Sequence, residues 1–145
     1  MKHHTKDKGD IGIGMVIANL MNNGIQVCVP ISEHLPFDLV AISASYILRR
    51  VQVKYKSMRN GKISLSLRNS YSDRRGTHIR RTERSSFDAY AVYCPETHKV
   101  YYISVAEIPD RLINTFTLRV APSKNGQIRG VNVAADFENP LRLFE

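Results

Sequence analysis

An α/β domain is what this sequence predicts: a mixed β-sheet flanked by helices, with a basic ribbon or loop standing out from it. Three observations carry that reading. One segment near the N-terminus has helical spacing. Strand-like runs follow it, three before and two after an interruption. The interruption itself, residues 68–84, is rich in arginine.

The helix is expected over residues 9–23, GDIGIGMVIANLMNN, where apolar positions 13, 16, 17, 20 and 21 share a face. Asp10 is placed to cap it or to sit in its first turn, and Gly24 to end it. IQVCVPI (25–31) reads as a short buried strand halted by Pro30, and SEHLP (32–36) as a loop. FDLVAI (37–42) and YILRRVQVKY (46–55) read as strands joined by a link of hairpin length. In the second of them Ile47, Arg49, Val51 and Val53 alternate with Leu48, Arg50, Gln52 and Lys54. SMRNGK is a turn centred on Asn-Gly, and ISLSL (63–67) alternates like an exposed strand. FDAYAVYC (87–94) and KVYYISV (99–105) are strong strands joined by PETH. A short helix is expected in 106–113, and a pairing of FTLRV (116–120) with QIRGVNV (127–133) across SKNG.

At 145 residues the chain is expected to be a single domain, 1–145, with one core. Lys plus Arg is 21 and Asp plus Glu is 13, a net charge of +8. That excludes an acidic or low-hydrophobicity disordered chain and favours an anionic partner. Cys28 and Cys94 have no second thiol nearby, which argues against a zinc ribbon. Both lie in apolar runs, as small core residues do. Free thiols point to a reducing, cytoplasmic location. The polar start and the absence of a long apolar run predict a soluble protein with no membrane partner.

The best chemical signal is Pro36-Phe37-Asp38 followed, across the hairpin, by Gln52-Val53-Lys54. Gln52 and Lys54 share a strand face, and an antiparallel register brings Asp38 to them. A hard divalent cation takes oxygen ligands: the Asp38 carboxylate, the Gln52 carboxamide and the Val53 carbonyl. Lys54 beside a bound phosphate stabilises developing negative charge. The alternative is a surface ion pair between neighbouring strands, which gives the same spacing.

The two triplets resemble the PD-(D/E)XK nuclease motif, in the variant where Gln replaces the second acid. KGDIGIGMVIANL, GIQVCVPISE, PFDLVAI, LRRVQVKY and FDAYAVYCPETHKVYYISV, in that order over about residues 5–108, resemble the small PD-(D/E)XK endonucleases. Among these they are most similar to bacterial intron-encoded homing endonucleases. The resemblance implies a restriction-endonuclease-like core, Mg2+-dependent cleavage of duplex DNA (Mn2+ or Ca2+ being the other divalent candidates) and a homodimer or homotetramer. Asp38 and Gln52 would then be metal-side residues and Lys54 the catalytic lysine. The family usually adds a Glu from the first helix. Here that place falls at Ile13, with Asp10 one turn earlier.

Residues 68–84 hold six arginines against Asp73 and Glu83. Arginine's planar fork suits phosphate and guanine. Beside a nuclease motif the expected DNA contacts are Arg68, Tyr71, Arg74, Arg75, His78, Arg80, Arg81 and Arg84 on a two-stranded ribbon, extended by Lys56, Arg59 and Lys62. The function expected is a site-specific DNA endonuclease of the homing type. Its rivals are a non-catalytic DNA-binding protein on the same fold and a Holliday-junction resolvase. Reading a rare site takes several copies of so small a domain. The apolar ends of FDAYAVYC and LRLFE are candidate contact surfaces for that assembly.

Overall fold

Helix α1 (Thr5–Asn22) lays Gly12, Val16 and Leu20 on the core. It begins a turn before the expected start, because Lys6 and Lys8 need no core to sit in a helix and point to solvent. Asp10 is therefore in mid-helix and exposed, not a cap, and Met21 faces solvent. The end is as the sequence predicts. Gly24 has φ 75°, its amide donates to the Met21 carbonyl, and Ile25 donates to Leu20. The computed structural model describes residues 5–81, 83–111 and 114–145, and only the backbone of 69–72 and 79–81. Residues 112 and 113, in the segment expected to hold a short helix, lie outside the described residues.

The strands are β1 (Gln26–Cys28), β2 (Leu39–Ile42), β3 (Leu48–Tyr55), β4 (Lys62–Ser66), β5 (Arg68–Asp73), β6 (Gly76–Arg81), β7 (Ala89–Cys94), β8 (Lys99–Ser104), β9 (Thr115–Arg119) and β10 (Asn132–Val133). The main sheet runs β1-β2-β3-β7-β8. β3 is antiparallel to β2 and parallel to β7, which makes the sheet mixed. Alternation sends Val51, Ala89, Ala91 and Tyr102 to one face, under α1. The Tyr102 hydroxyl donates to Asn19 Oδ1 at 2.7 Å and fixes the helix there. Tyr90, Val92, Tyr101 and Ile103 go to the other face.

That second face is covered by a small sheet, β10-β9-β4, together with the 3₁₀ turn Ala134–Phe137, which buries Ala134 and Phe137 there. ISLSL alternates as expected, yet Ile63 and Leu65 are buried against the main sheet, so β4 is half-buried. Its partner is β9, an antiparallel pairing of residues far apart in sequence. β9 and β10 pair as expected, but in parallel and over two residues, so SKNG is not a hairpin turn. The Asn60-Gly61 turn has φ 51° and 70°, both positive, as a tight hairpin turn demands. A Cβ at Gly61 would lie 2.8 Å from the Ala121 Cβ.

Three further expectations change. Only a 3₁₀ turn, Val105–Glu107, forms among the described residues of 106–113. Cys94 is buried but Cys28 is exposed, because Val27 takes the inward place on the short edge strand. FDAYAVYC is buried along β7 and offers no surface, whereas LRLFE divides, with Leu143 buried in the core and Leu141 exposed. No helix among the described residues is long and apolar enough to cross a membrane.

Arg50 and Asp88 bind β3 to the start of β7. Asp88 accepts the Arg50 amide at 2.7 Å and two guanidinium bonds at 3.2 and 3.0 Å. These bonds hold the Asp88 carboxyl below its usual pKa. Asp88→Asn is expected to cost about 1 kcal/mol in denaturant melts at pH 7. A carboxyl with a depressed pKa stabilises the fold above its unfolded-state value and loses that contribution as pH falls through the folded one. The wild-type advantage should therefore fade in acid.

Candidate active site

The site lies where β2 begins and β3 ends. Leu39 pairs with Val51, and the Asp38 amide also donates to the Val51 carbonyl at 2.9 Å. Two residues thus face one, as in a β-bulge, and a bulge re-aims the side chain at its head. The Asp38 carboxylate lies along the edge of β3, where Oδ2 accepts the Val53 amide at 2.7 Å. It fills the place of a strand acceptor. Val53 sits between Gln52 and Lys54, which share one face. The structure therefore brings together all four residues that the sequence singles out here.

Pro36 sets the local chemistry. Two residues before Asp38, it has no N–H to offer β3, so the ladder stops. A residue's N–H and C=O point to the same side of a strand, so the Val53 carbonyl lies on the edge that Pro36 leaves unpaired. Pro36 does give its carbonyl, which accepts Gln52 Nε2 at 3.3 Å. That bond orients the carboxamide. Its other end, Gln52 Oε1, is buried and has no hydrogen-bond partner among the described residues, and a buried acceptor left unsatisfied is costly. Carboxylate, carboxamide and peptide oxygens are hard donors, so the orphaned Oε1 fits a divalent cation bound at this corner. Among the described residues no three of His, Cys, Asp and Glu come together, and Asp38 is the carboxylate of this set.

Lys54 is partly buried, and desolvation pushes its pKa below the ordinary lysine value. Asp38 pulls it back up, and Lys56 pushes it further down. Asp38 and Lys54 are thus within electrostatic reach of each other. Helix α1 lies behind this corner, with Gly12 against Val53 and Tyr55. Ile13 is half-buried there. Asp10 makes no hydrogen bond or ion pair with the described residues.

The basic excursion is a ribbon. β5 and β6 pair from Arg68↔Arg81 to Asp73↔Gly76. Six residues at about 3.4 Å each make about 20 Å, enough to enter a major groove. Asp73 accepts the Arg75 amide and contacts His78 Nε2 at 3.1 Å, so the acid is occupied within the turn. Arg74 and Arg75 are exposed at the tip, and Arg59, Lys62 and Arg68 are exposed before it. Lys56 is half-buried beside Lys54. The side chains of Tyr71, Arg80 and Arg81 lie outside the described ones. Arg84 is held against the protein body: it bonds the Ile108 and Pro109 carbonyls and pairs with Asp110 at 3.0 Å, which leaves its side chain 31% exposed. The bulge, the Gln52–Pro36 bond and the small sheet could not be read from the sequence, because none leaves a local pattern.

A family model described as PD-(D/E)XK endonuclease matches residues 3–140. Among solved structures, the chain is similar to a bacterial homing endonuclease, I-Ssp6803I. The TM-score is 0.78 at 24% identity, over 98% of this chain and 93% of that one. The two share their fold, which bears out the expected mixed α/β, restriction-endonuclease-like class. No curated protein matches the sequence.

Proposed function

The chain belongs to the PD-(D/E)XK endonuclease family, and on that premise we propose that it is a site-specific DNA endonuclease of the homing type, one domain over 1–145. I-Ssp6803I, which shares the fold, is a homing endonuclease. The observation that carries the reading is the buried Gln52 Oε1, without a hydrogen-bond partner among the described residues, one residue before the Val53 amide that holds the Asp38 carboxylate.

Asp38, Gln52 Oε1 and the Val53 carbonyl would hold a divalent cation such as Mg2+. When bound, the ion supplies Lewis-acid polarisation of the scissile phosphate and a nucleophile at neutral pH. The Val53 amide keeps the Asp38 carboxylate in place, and the Pro36 carbonyl turns the Gln52 oxygen inward. Both groups are thus oriented before substrate arrives. The Lys54 ammonium, which makes no hydrogen bond or ion pair among the described residues and feels only the fields of Asp38 and Lys56, would meet a phosphate oxygen as charge develops on it. Partial burial strengthens that contact, and the lowered pKa makes proton exchange easier than for an ordinary lysine. The arginine tip and the cations before it hold the duplex by its backbone and reach its base edges. A homodimer or homotetramer would extend the site that is read.

Ile13, standing where the family usually has Glu, favours a second reading: a DNA-binding protein that does not cut. Incubating the protein with a library of duplex DNA, with and without Mg2+, and sequencing the ends decides between them. One recurrent long site, cut only with Mg2+, is the expected result. Duplex binding without new ends favours the second reading, and, in a parallel incubation with a four-way junction, cutting confined to the junction favours a resolvase.

A further inference from the structure

We propose that the outward face of the β4–β9–β10 sheet extends the surface for duplex DNA beyond the ribbon, with a backbone phosphate held between Lys62 and Arg119. The inference rests on the nuclease reading above. The inner face of this sheet buries Ile63, Leu65, Phe116 and Leu118. Alternation therefore turns Lys62, Ser64 and Ser66 outward on β4, and Thr115, Thr117 and Arg119 outward on β9.

Lys62 and Arg119 stand directly opposite each other. Like charges so placed repel and cost stability. No carboxylate relieves them, since neither takes part in an ion pair among the described residues. The sequence has no Asp or Glu from 39 to 72 or from 111 to 135, and those two stretches contain all three strands. A sheet shaped for stability alone would carry an opposite charge at one of these positions. An anion bound across the pair removes the repulsion.

A polar recess of about 340 Å³ opens beside the pair, lined by Lys62, Thr115, Thr117, Arg119, Gln127 and Asn132 among others. Each of these side chains can donate a hydrogen bond, and the two cations supply the charge. Phosphodiester oxygens only accept, so the lining complements them. The surface also continues. Leu67 is buried, so Arg68 turns outward after Ser66 and the stripe runs on into the ribbon. β4 from Lys62 to Ser66 is about 14 Å of strand and the ribbon beyond it adds about 20 Å, together the span of several phosphates on one DNA strand. Such a length favours a polymeric anion over a small one.

The test is binding of labelled duplex to the full chain in EDTA over a range of salt. Lys62→Ala with Arg119→Ala is expected to weaken binding about tenfold or more. It should also make the slope of log affinity against log salt shallower by about 0.9, the share of the one phosphate that is no longer neutralised. Lys62→Glu places opposite charges across the strands, so it should raise Tm while lowering affinity, which a folding defect would not do. Unchanged affinity and slope in the double variant, or a fall of both Tm and affinity in Lys62→Glu, overturns the proposal. Failure of the wild-type protein to bind duplex would sink the nuclease reading itself.

Discussion

Asp38→Asn is expected to reduce DNA cleavage by roughly 10²–10³-fold or more while leaving duplex binding close to wild type. Asparagine keeps the shape of the side chain. It retains a carbonyl oxygen where Asp38 Oδ2 accepts the Val53 amide, so the junction of β2 and β3 can persist. What it loses is the negative charge. With Gln52 and Val53 contributing neutral oxygens, Asp38 is the anionic donor of the set. A site of three neutral oxygens binds Mg2+ poorly, since that ion is usually held through carboxylates. Nicking of supercoiled DNA in Mg2+, set against gel-shift affinity in EDTA, measures both effects. Cleavage at the wild-type rate would remove Asp38 from the mechanism.

Lys54→Met should abolish cleavage and, at neutral pH, make the protein more stable. Burial disfavours the Lys54 ammonium, so its pKa in the fold lies below the ordinary 10.5. Between the folded and unfolded values the unfolded chain holds more protons, and stability rises with pH. The penalty is therefore complete below the folded pKa and is relieved as pH climbs through it. Methionine has a similar length and no charge to desolvate. A gain in Tm of roughly 2–4 °C at pH 7, shrinking towards pH 10, is the expected signature. A lower Tm at pH 7, or retained cleavage, would contradict the role given to this lysine.

Much of the site is legible in the sequence because it is local. Gln52 and Lys54 share a face by the strand period, and a short hairpin brings Asp38 to them whatever the rest of the chain does. Other features depend on partners that the sequence does not announce. ISLSL declares one buried face, but its strand partner is β9, some fifty residues later, and its cover is the main sheet. Arg84 looks like its neighbours in a run of arginines, yet the carbonyls of Ile108 and Pro109 hold it against the body. The alternation that places Lys54 fails at Asp38, because a bulge interrupts the period there. α1 has an early start for a related reason: its first turn meets solvent, so apolar spacing carries no signal of it.

Pro36 also acts as a stopper. Paired strands tend to zip together until something prevents them, and a ring in place of an amide hydrogen is a barrier that thermal motion cannot remove. The notch between β2 and β3 is thus written into the covalent chain and does not wait for DNA to pry it open. On the proposed reading, the donors for a cation would already be in position in the free protein.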